Sequence, residues 1–437
     1  MLETDAYAMT NEFNYFVHPD QLQVGVYIQL DLHWMAHPFS FGSFKIKSID
    51  QIETLKKLGL TKIRYIPNKS DIQPLAPTSP ALTPTAEPTP IAIHNEVTDP
   101  AVLALLAAKR QRQAQHEQRQ AQLDACEKAF GKAAKTVRSI NSQIHIDAKK
   151  TVAAADQLVN QMLDSLLIDD DIAIHLMNGN TLGDETYFHT LNVAVLALML
   201  GRAMQLSRDD IRTLGLAALF HDIGKSEVPD RILLKTEALN RAEQALMEQH
   251  SKWGAEMAHR AGLSAGVLKL IVQHHEYCDG SGYPQRLQLA QIDPLARILA
   301  LVNTYDNHCN RNNPALSLTP HEGLALMFTQ HKAKFDPGPL NHFIKCLGVY
   351  PPGTLVILSN DCYGLVVSVN ASRPLRPQVL VCGIESGSEN AIILDLEYEN
   401  GINISKSIKA NQLSADAARA LSPSKRMNYF FSASESA

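Results

Sequence analysis

The sequence predicts a multidomain chain with an all-α domain at its centre, a small α/β module before it and a β-rich appendage after it. A proline-rich stretch separates the first residues from the rest, and a nearly unbroken helical periodicity runs through the middle. Strand-like alternation with Gly, Pro and Asn turns follows. At 437 residues the chain is also too long for one ordinary hydrophobic core. These shifts predict a module at 1–70, a linker at 71–100, a helical connector at 101–167, the central domain at 168–352 and the appendage at 353–437.

The composition excludes several classes of protein. A hydrophobic content of 45% with 19% charged residues is typical of soluble globular domains. The net charge of −5 lacks the excess of basic residues that is typical of proteins that bind duplex nucleic acid. The first residues lack the pattern of a signal peptide, and the most apolar stretch, 191–204, is too short to span a membrane. Six cysteines without a CxxC pair indicate reduced thiols and a cytoplasmic location, and argue against a thiolate zinc site.

The first module alternates strands with one helix. QVGVYIQLDL, FKIKSI and KIRYI predict strands, and IDQIETLKKLG predicts a helix that ends at Gly59. In the linker, proline recurs among Thr, Ala and Ser. Proline removes a backbone donor and favours extended geometry, so we expect a semi-rigid spacer.

The connector and the appendage have contrasting patterns. The connector predicts helix, interrupted near Gly131 and around His145. Its apolar residues do not sustain heptads, so pairing with a second copy or with a signalling protein stays open. In the appendage, PPGTLVILS, GLVVSVN, PQVLVCG, NAIILDLEY and INISKSI predict successive strands.

The central domain contains an ordered series of residue types that ligate metals. An adjacent His-Asp pair offers a nitrogen and a carboxylate that can bridge two cations, and residues at i and i+4 share a helix face. Ligation by histidine and carboxylate without thiolate suits iron, manganese or zinc. We therefore expect two or three divalent metal ions in a helical pocket. The series consists of Glu185, His189, His221, Asp222, His250, His274 and His275.

Several gapped motifs in this region resemble the HD-GYP family, a branch of the HD metal-dependent phosphohydrolases. ETYFHT matches the opening helix, LFHDIGKSEVPDRILLKTEAL the HD signature and MEQH the next ligand. HHEYCDGSGYPQRL supplies the letters GYP as Gly282, Tyr283 and Pro284. Residues 22–67 are similar to the small domain that often precedes HD-GYP domains.

The resemblance implies hydrolysis of cyclic di-GMP, a bacterial second messenger, to linear pGpG or GMP at an iron or manganese centre of two or three ions. Glu185 would serve the additional metal of trinuclear members, and Lys225 would face the scissile phosphate. Arg311 would contact substrate, as would Gly282 and Tyr283, although their segment is equally explained as a turn. The core ligands would be His189, His221, Asp222, His250, His274 and His275.

One position departs from the family pattern. The family has a metal-binding aspartate at the first position of a D-x-x-D pattern, and here Asn303 stands there with Asp306 at the second. Asparagine offers a neutral carbonyl oxygen without a charge. The segment NRNNPA departs from the family as well. Two hypotheses follow: a working phosphodiesterase with a weaker metal position, or a degenerate module that binds a nucleotide or a partner and signals without turnover.

Overall fold

A computed structural model divides the chain into two compact units, Met1–Arg119 and Gln120–Ala437. Within the described ranges no helix combines the length and the apolar character needed to cross a bilayer. Most of the predicted proline-rich linker, residues 77–99, lies outside the described residues. The structure describes residues 15–32, 37–39, 42–76, 100–168, 173–177, 185–235, 237–311, 313–370, 373–382, 392–399, 401–423 and 426–431. For residues 100–103, 105, 106, 108–123, 167, 168, 173, 185, 186 and 370 it describes the backbone alone.

The first unit contains the predicted α/β module. Its elements are β1 (Tyr15–Val17), β2 (Tyr27–Gln29), β3 (Ser43–Lys45), α1 (Ile49–Lys57) and β4 (Ile63–Tyr65). The strands form an antiparallel sheet in the order β1-β4-β2-β3. Ser48 caps the start of helix α1, because its side chain accepts a hydrogen bond from Gln51 N. The helix buries Leu55 in the core of the module.

Two long helices follow, α2 (Pro100–Gln143) and α3 (Ala148–Ile168). The predicted interruption near Gly131 is wrong, because α2 runs through this residue without a break. A single glycine costs a helix only about 1 kcal/mol relative to alanine, which a long helix tolerates. The predicted break around His145 is confirmed by the turn that separates the two helices.

The centre of the second unit is helical, as the sequence predicts. Helix α4 is apolar on almost every face and is buried from residue 190 to residue 201, which is the pattern of a central helix. Serines cap α5 and α9, and proline occupies the first position of α10, α11 and α12. The helices are α4 (Glu185–Ala203), α5 (Arg208–Phe220), α6 (Asp230–Leu233), α7 (Arg241–Met247), α8 (His250–Arg260), α9 (Ala265–Gln273), α10 (Pro294–Cys309), α11 (Pro320–Thr329) and α12 (Pro337–Leu347).

A seven-stranded antiparallel sheet and a short helix complete this unit. The five strands predicted for the appendage are confirmed as β6 to β10. Strands β6 and β5 both pair with β7, β10 pairs with β6, β11 with β5, and β8 lies between β7 and β9. These elements are β5 (Ala173–Leu176), β6 (Leu355–Leu358), β7 (Tyr363–Asn370), β8 (Gln378–Cys382), β9 (Ile392–Asp395), β10 (Ile404–Ile408), α13 (Ala415–Leu421) and β11 (Tyr429–Phe431).

Strand β5 corrects the prediction that residues 168–349 are almost wholly helical. Its four residues are too few to establish a period of two, and both of its partner strands come from the last seventy-five residues of the chain. Strand β11 was not predicted either, and its three aromatic residues are buried in the helical core. The appendage therefore shares a core with the helices, and the boundary at 352 stays a prediction.

Candidate metal centre

Helix ends bring the predicted ligands together. His189 lies near the start of α4, His221 is the C-cap of α5 and Asp222 follows it. His250 begins α8, and His274 is the C-cap of α9. A Cβ atom on residue 224 would overlap the backbone carbonyl of residue 250, so glycine is required for the turn after Asp222 to approach α8 this closely.

The ligand atoms fall into two groups that share Asp222. In each group the candidate atoms lie within 4.8 Å of one another. One group contains His189, His221 and Asp222, and the other contains Asp222, His250, His274 and His275.

The two oxygens of Asp222 face different histidines. Oδ2 lies 3.5 Å from His189 Nε2 and 3.3 Å from His221 Nε2. Oδ1 lies 3.5 Å from His250 Nε2 and 3.8 Å from His274 Nε2. A carboxylate placed in this way can serve two cations at once, one through each oxygen.

Hydrogen bonds to backbone carbonyls fix the tautomer of three of these histidines. A carbonyl only accepts, so each Nδ1 carries the proton, and in a neutral ring Nε2 then keeps its lone pair. The carbonyls belong to the last turns of helices, where they have no intrahelical partner. In each case Nδ1 lies 2.6–2.8 Å from the carbonyl oxygen three residues earlier, which is that of Ala218 for His221, Met247 for His250 and Ile271 for His274.

The lone pairs converge on each other. His189 Nε2 lies 3.3 Å from His221 Nε2, and His250 Nε2 lies 3.2 Å from His274 Nε2. His189 Nδ1 lies 2.7 Å from the acceptor Asp306 Oδ2, so this ring also carries its proton on Nδ1. Nitrogens that carry no proton cannot hydrogen-bond to each other, so their close approach suits a cation between them. In the described part of the chain Asp222 Oδ1 is buried without a hydrogen-bond partner. The donor set therefore fits divalent metal ions.

Burial and charge set the protonation of the cluster. Burial lowers the pKa of His250, and it lowers the pKa values of His274 and His275 well below the ordinary value. Burial alone would raise the pKa of Asp222, but the Lys225 ammonium, 2.6 Å from Oδ2, holds it well below its usual range. These shifts favour neutral rings at His250, His274 and His275 and an ionised carboxylate at Asp222, so these four groups are acceptors at neutral pH.

Lys225 lies at the rim of the cluster. Its Nζ is 2.6 Å from Asp222 Oδ2, and its side chain is about one-third exposed, at 32%. A cation that can reach both the shared carboxylate and solvent is placed to meet an incoming anion, and its contact with phosphate stays a prediction.

The segment that carries the letters GYP packs behind His275. The Tyr283 ring stacks on the His275 ring with centroids 4.5 Å apart. A Cβ atom on Gly282 would overlap the backbone of residues 275–277, so this glycine is required for close packing. The buried Glu276 carboxylate accepts hydrogen bonds from two backbone N–H groups later in the segment. Sequence reasoning missed this anchor, and the contacts of Gly282 and Tyr283 with substrate stay predictions.

Of three further predicted site residues, Arg311 and Asn303 have no hydrogen bond or ion pair to the cluster in the described part of the chain. Glu185 is the first residue of α4, and its side chain lies outside the described residues. Arg311 is exposed just beyond α10, where its backbone N–H donates to Ser317 Oγ at 3.0 Å. Asn303 is buried in α10, and its carbonyl oxygen accepts a hydrogen bond from Asn307 Nδ2 at 2.8 Å. The roles of all three stay predictions.

Asp306 lies behind His189 and not at the ligand position that the family pattern predicts for residue 303. Its Oδ2 is 2.7 Å from His189 Nδ1, on the opposite side of the ring from Nε2. The carboxylate therefore orients a predicted ligand, and it belongs to neither group of candidate ligand atoms among the described residues. The sequence marks Asp306 as a ligand-type residue, but it contains no local sign of this contact.

Three parts of the chain match known families. Residues 165–338 match the HD domain family, and residues 16–156 match a domain of unknown function, DUF3391. Residues 355–416 match the KOW domain associated with the HD domain.

Two relatives of this chain are phosphodiesterases of cyclic dinucleotides. The chain is 30% identical over 371 residues to the cyclic di-GMP phosphodiesterase PA4108 of Pseudomonas aeruginosa, a match that covers 83% of each chain. It is 32% identical over 151 residues to 3'3'-cGAMP-specific phosphodiesterase 2 of Vibrio cholerae, which covers 34% of this chain and 29% of that protein. The solved structure of Bd1817, an HDG"Y"P protein from Bdellovibrio bacteriovorus, aligns with a TM-score of 0.39 and 15% identity over 76% of this chain and 98% of that one.

Proposed function

Because the chain belongs to the HD-GYP family of HD-domain phosphodiesterases, we propose that it hydrolyses cyclic di-GMP with divalent metal ions held by its histidine and aspartate cluster. The observation that carries this proposal is the position of Asp222, whose two oxygens face two separate sets of histidine lone pairs. The long match to a cyclic di-GMP phosphodiesterase supports the choice of substrate.

The two ligand groups would each hold one divalent ion, with Asp222 between them, and Glu185 would serve a third. Bound metal supplies positive charge that neutralises phosphoryl oxygens and lowers the pKa of water at the site. Ligation by nitrogen and carboxylate suits iron or manganese, which we propose as the ions.

The side chains around the cluster would orient a cyclic dinucleotide. Lys225 adds a charge beside Asp222 and would bind a phosphoryl oxygen of the scissile bond. Tyr283 stacks on His275 and holds its ring in place. After Lys225, the exposed Arg311 is the second candidate for a contact with an anionic substrate. Hydrolysis of one phosphodiester bond gives linear pGpG, and hydrolysis of both gives GMP.

A second candidate function is a degenerate module that binds a nucleotide or a partner without turnover. Asn303 favours it, because a neutral oxygen replaces a family carboxylate in a buried position. The intact ligand groups favour the enzyme. For either function we propose that the chain has the five parts predicted from the sequence. We also propose that its macromolecular partner is a second copy of the chain or a signalling protein, and that duplex nucleic acid is not a partner.

The test of the proposed function is a hydrolysis assay on the full chain. Protein purified without oxygen and assayed with Mn²⁺ or Fe²⁺ should convert cyclic di-GMP to pGpG or GMP, measured by chromatography, with 3'3'-cGAMP as the comparison substrate. His250→Ala should lose this activity because it removes a cluster ligand. His342→Ala is the matched control, since its Nδ1 also meets a carbonyl but outside the cluster. Nucleotide binding without turnover would favour the degenerate module.

Lys225→Ala is expected to keep its metal content and to lose turnover or nucleotide affinity. Loss of one charge-assisted contact costs roughly 1.5–3 kcal/mol, which corresponds to roughly a 10- to 150-fold decrease. The measurements are metal analysis and steady-state kinetics. The control is Lys235→Ala, which removes a lysine that is similarly buried and paired, with Glu243 at 2.6 Å, away from the ligands. Loss of metal, or unchanged hydrolysis, would show that Lys225 has another role.

A further inference from the structure

The cluster has a support that comes from the far end of the chain. Asp306 in α10 is fully buried, and its Oδ2 lies 2.7 Å from His189 Nδ1. Its Oδ1 accepts hydrogen bonds from the side-chain amides of Asn192 and Asn310, each at 2.9 Å. The carboxylate is thus fixed on both of its oxygens.

The same two asparagines hold the backbone of residues 426–431, which we call the C-terminal segment. Nδ2 of Asn192 and Nδ2 of Asn310 donate to Met427 O at 2.8 and 2.9 Å. In return Met427 N donates to Asn310 Oδ1 at 2.7 Å, and Tyr429 N donates to Asn192 Oδ1 at 3.0 Å. Backbone groups of this segment are therefore two hydrogen bonds away from Asp306.

Both positions need a primary amide. Each side chain uses two N–H groups, one on Asp306 and one on Met427, and also an oxygen that accepts from the backbone. An aspartate would lack the donors and would repel the Asp306 carboxylate, and an alanine would leave buried polar groups without partners.

The C-terminal segment is itself firmly held. Strand β11 pairs with β5, and Asn428 O accepts a hydrogen bond from Met177 N at 2.8 Å. Tyr429 is fully buried, with its hydroxyl 3.4 Å from that of Tyr305. The segment can therefore transmit a fixed position to the asparagines.

We propose that the C-terminal segment is a structural part of the metal centre. Asn192, Asn310 and Asp306 are the positioning residues that connect it to the ligand. They hold the His189 ring with its proton on Nδ1 and its Nε2 lone pair turned toward the other ligands. The inference rests on the proposed metal-dependent function, but its first test does not require a bound metal.

The first test is the tautomer of His189 in Asp306→Asn. Because Asn192 and Asn310 both donate to one oxygen position, they keep the new amide oxygen there and turn its NH₂ group onto His189 Nδ1. Nδ1 must then accept, and the proton moves to Nε2. Nitrogen NMR on metal-free full chain with ¹⁵N-labelled histidine should show this switch, with the His189 signal identified by its loss in His189→Gln.

The second test asks whether the backbone of Met427 matters for metal affinity. Met427→Pro removes the N–H that Asn310 accepts, whereas Met427→Ala keeps it. Calorimetric titration of metal-free full chain with Mn²⁺ should show about tenfold weaker binding for Met427→Pro and Asn310→Ala, the low end of the effect of outer partners of metal ligands. Met427→Ala should bind as the wild type does. Tyr305→Phe is the matched control, since it removes a contact with the segment but leaves the asparagines intact.

The outcomes separate the inference from the proposed function. If Met427→Pro fails to fold, Asn310→Ala decides the second test. If Asn310→Ala and Tyr305→Phe weaken Mn²⁺ binding equally, the segment only stabilises the fold in general, and the inference is overturned. An unchanged His189 tautomer in Asp306→Asn would also overturn it. Absence of Mn²⁺ binding in the wild type, with the tautomer switch present, would instead overturn the proposed metal-dependent function.

Discussion

Asp222→Ala is expected to abolish most metal binding by the chain. Asp222 is the residue common to both ligand groups, and each of its oxygens faces a different pair of histidine nitrogens. Even outer partners of metal ligands change affinity by about 10–100-fold, so removal of a shared ligand should weaken binding by more than about 100-fold. Metal content after dialysis and a Mn²⁺ titration on the full chain are the measurements.

Asp222→Asn gives a graded version of this test. An amide has one acceptor oxygen, so it can ligate a cation in one group, while its NH₂ donates to the histidine lone pairs of the other group and offers no ligand there. We expect Asp222→Asn to keep metal at no more than one group. The control is Asp156→Ala, which removes a partly buried carboxylate paired with Arg212 in another region of the same unit. Unchanged metal stoichiometry in Asp222→Ala would contradict the proposal that this residue is a ligand.

The sequence predicted those parts of the fold whose signals are local. Helix α4 has a long apolar run, and strands β6 to β10 alternate over several residues between turn residues, so a short window is sufficient to recognise them. Strands β5 and β11 are three or four residues long and stabilise each other across about 250 positions of the sequence. No local pattern contains that pairing. The break predicted near Gly131 is wrong for the opposite reason. A local signal, the low helix propensity of glycine, was present there, but the long helix on both sides of this residue outweighs it.

The candidate site divides in the same way. Its ligand types and their order can be found from the sequence, since His-Asp and His-His pairs are conspicuous there. The support of the ligands was not predicted. Asn192 and Asn310 are ordinary polar residues in the sequence, and their partner Met427 lies 235 and 117 residues away. The tautomers likewise depend on carbonyls at helix ends, which become visible only once the helix boundaries are known.

Asn303→Asp is expected to raise both metal occupancy and the rate of cyclic di-GMP hydrolysis. Asn303 is buried three residues before Asp306 in α10, and its oxygen already accepts a hydrogen bond from Asn307. An aspartate keeps that hydrogen bond and adds a second, charged oxygen, which a hard cation prefers to a neutral carbonyl. The free Mn²⁺ needed for half-maximal activity should fall on the order of tenfold, within the range typical of changes around metal sites.

The matched control for this change is Asn341→Asp, which adds the same charge at an exposed position of α12 and leaves the hydrogen bond between Asn307 and residue 303 in place. If a ligand is restored, the lower Mn²⁺ requirement should appear in Asn303→Asp alone, because only direct ligation depends on the position of the oxygen. Without metal the new buried carboxylate should lower the melting temperature, and Mn²⁺ should raise it by more than in the wild type. Equal metal dependence in wild type and Asn303→Asp would show that Asn303 is not the weak point of the site. Equal gains in both variants would assign the effect to charge, and turnover by neither variant, with nucleotide still bound, would favour the degenerate signalling module.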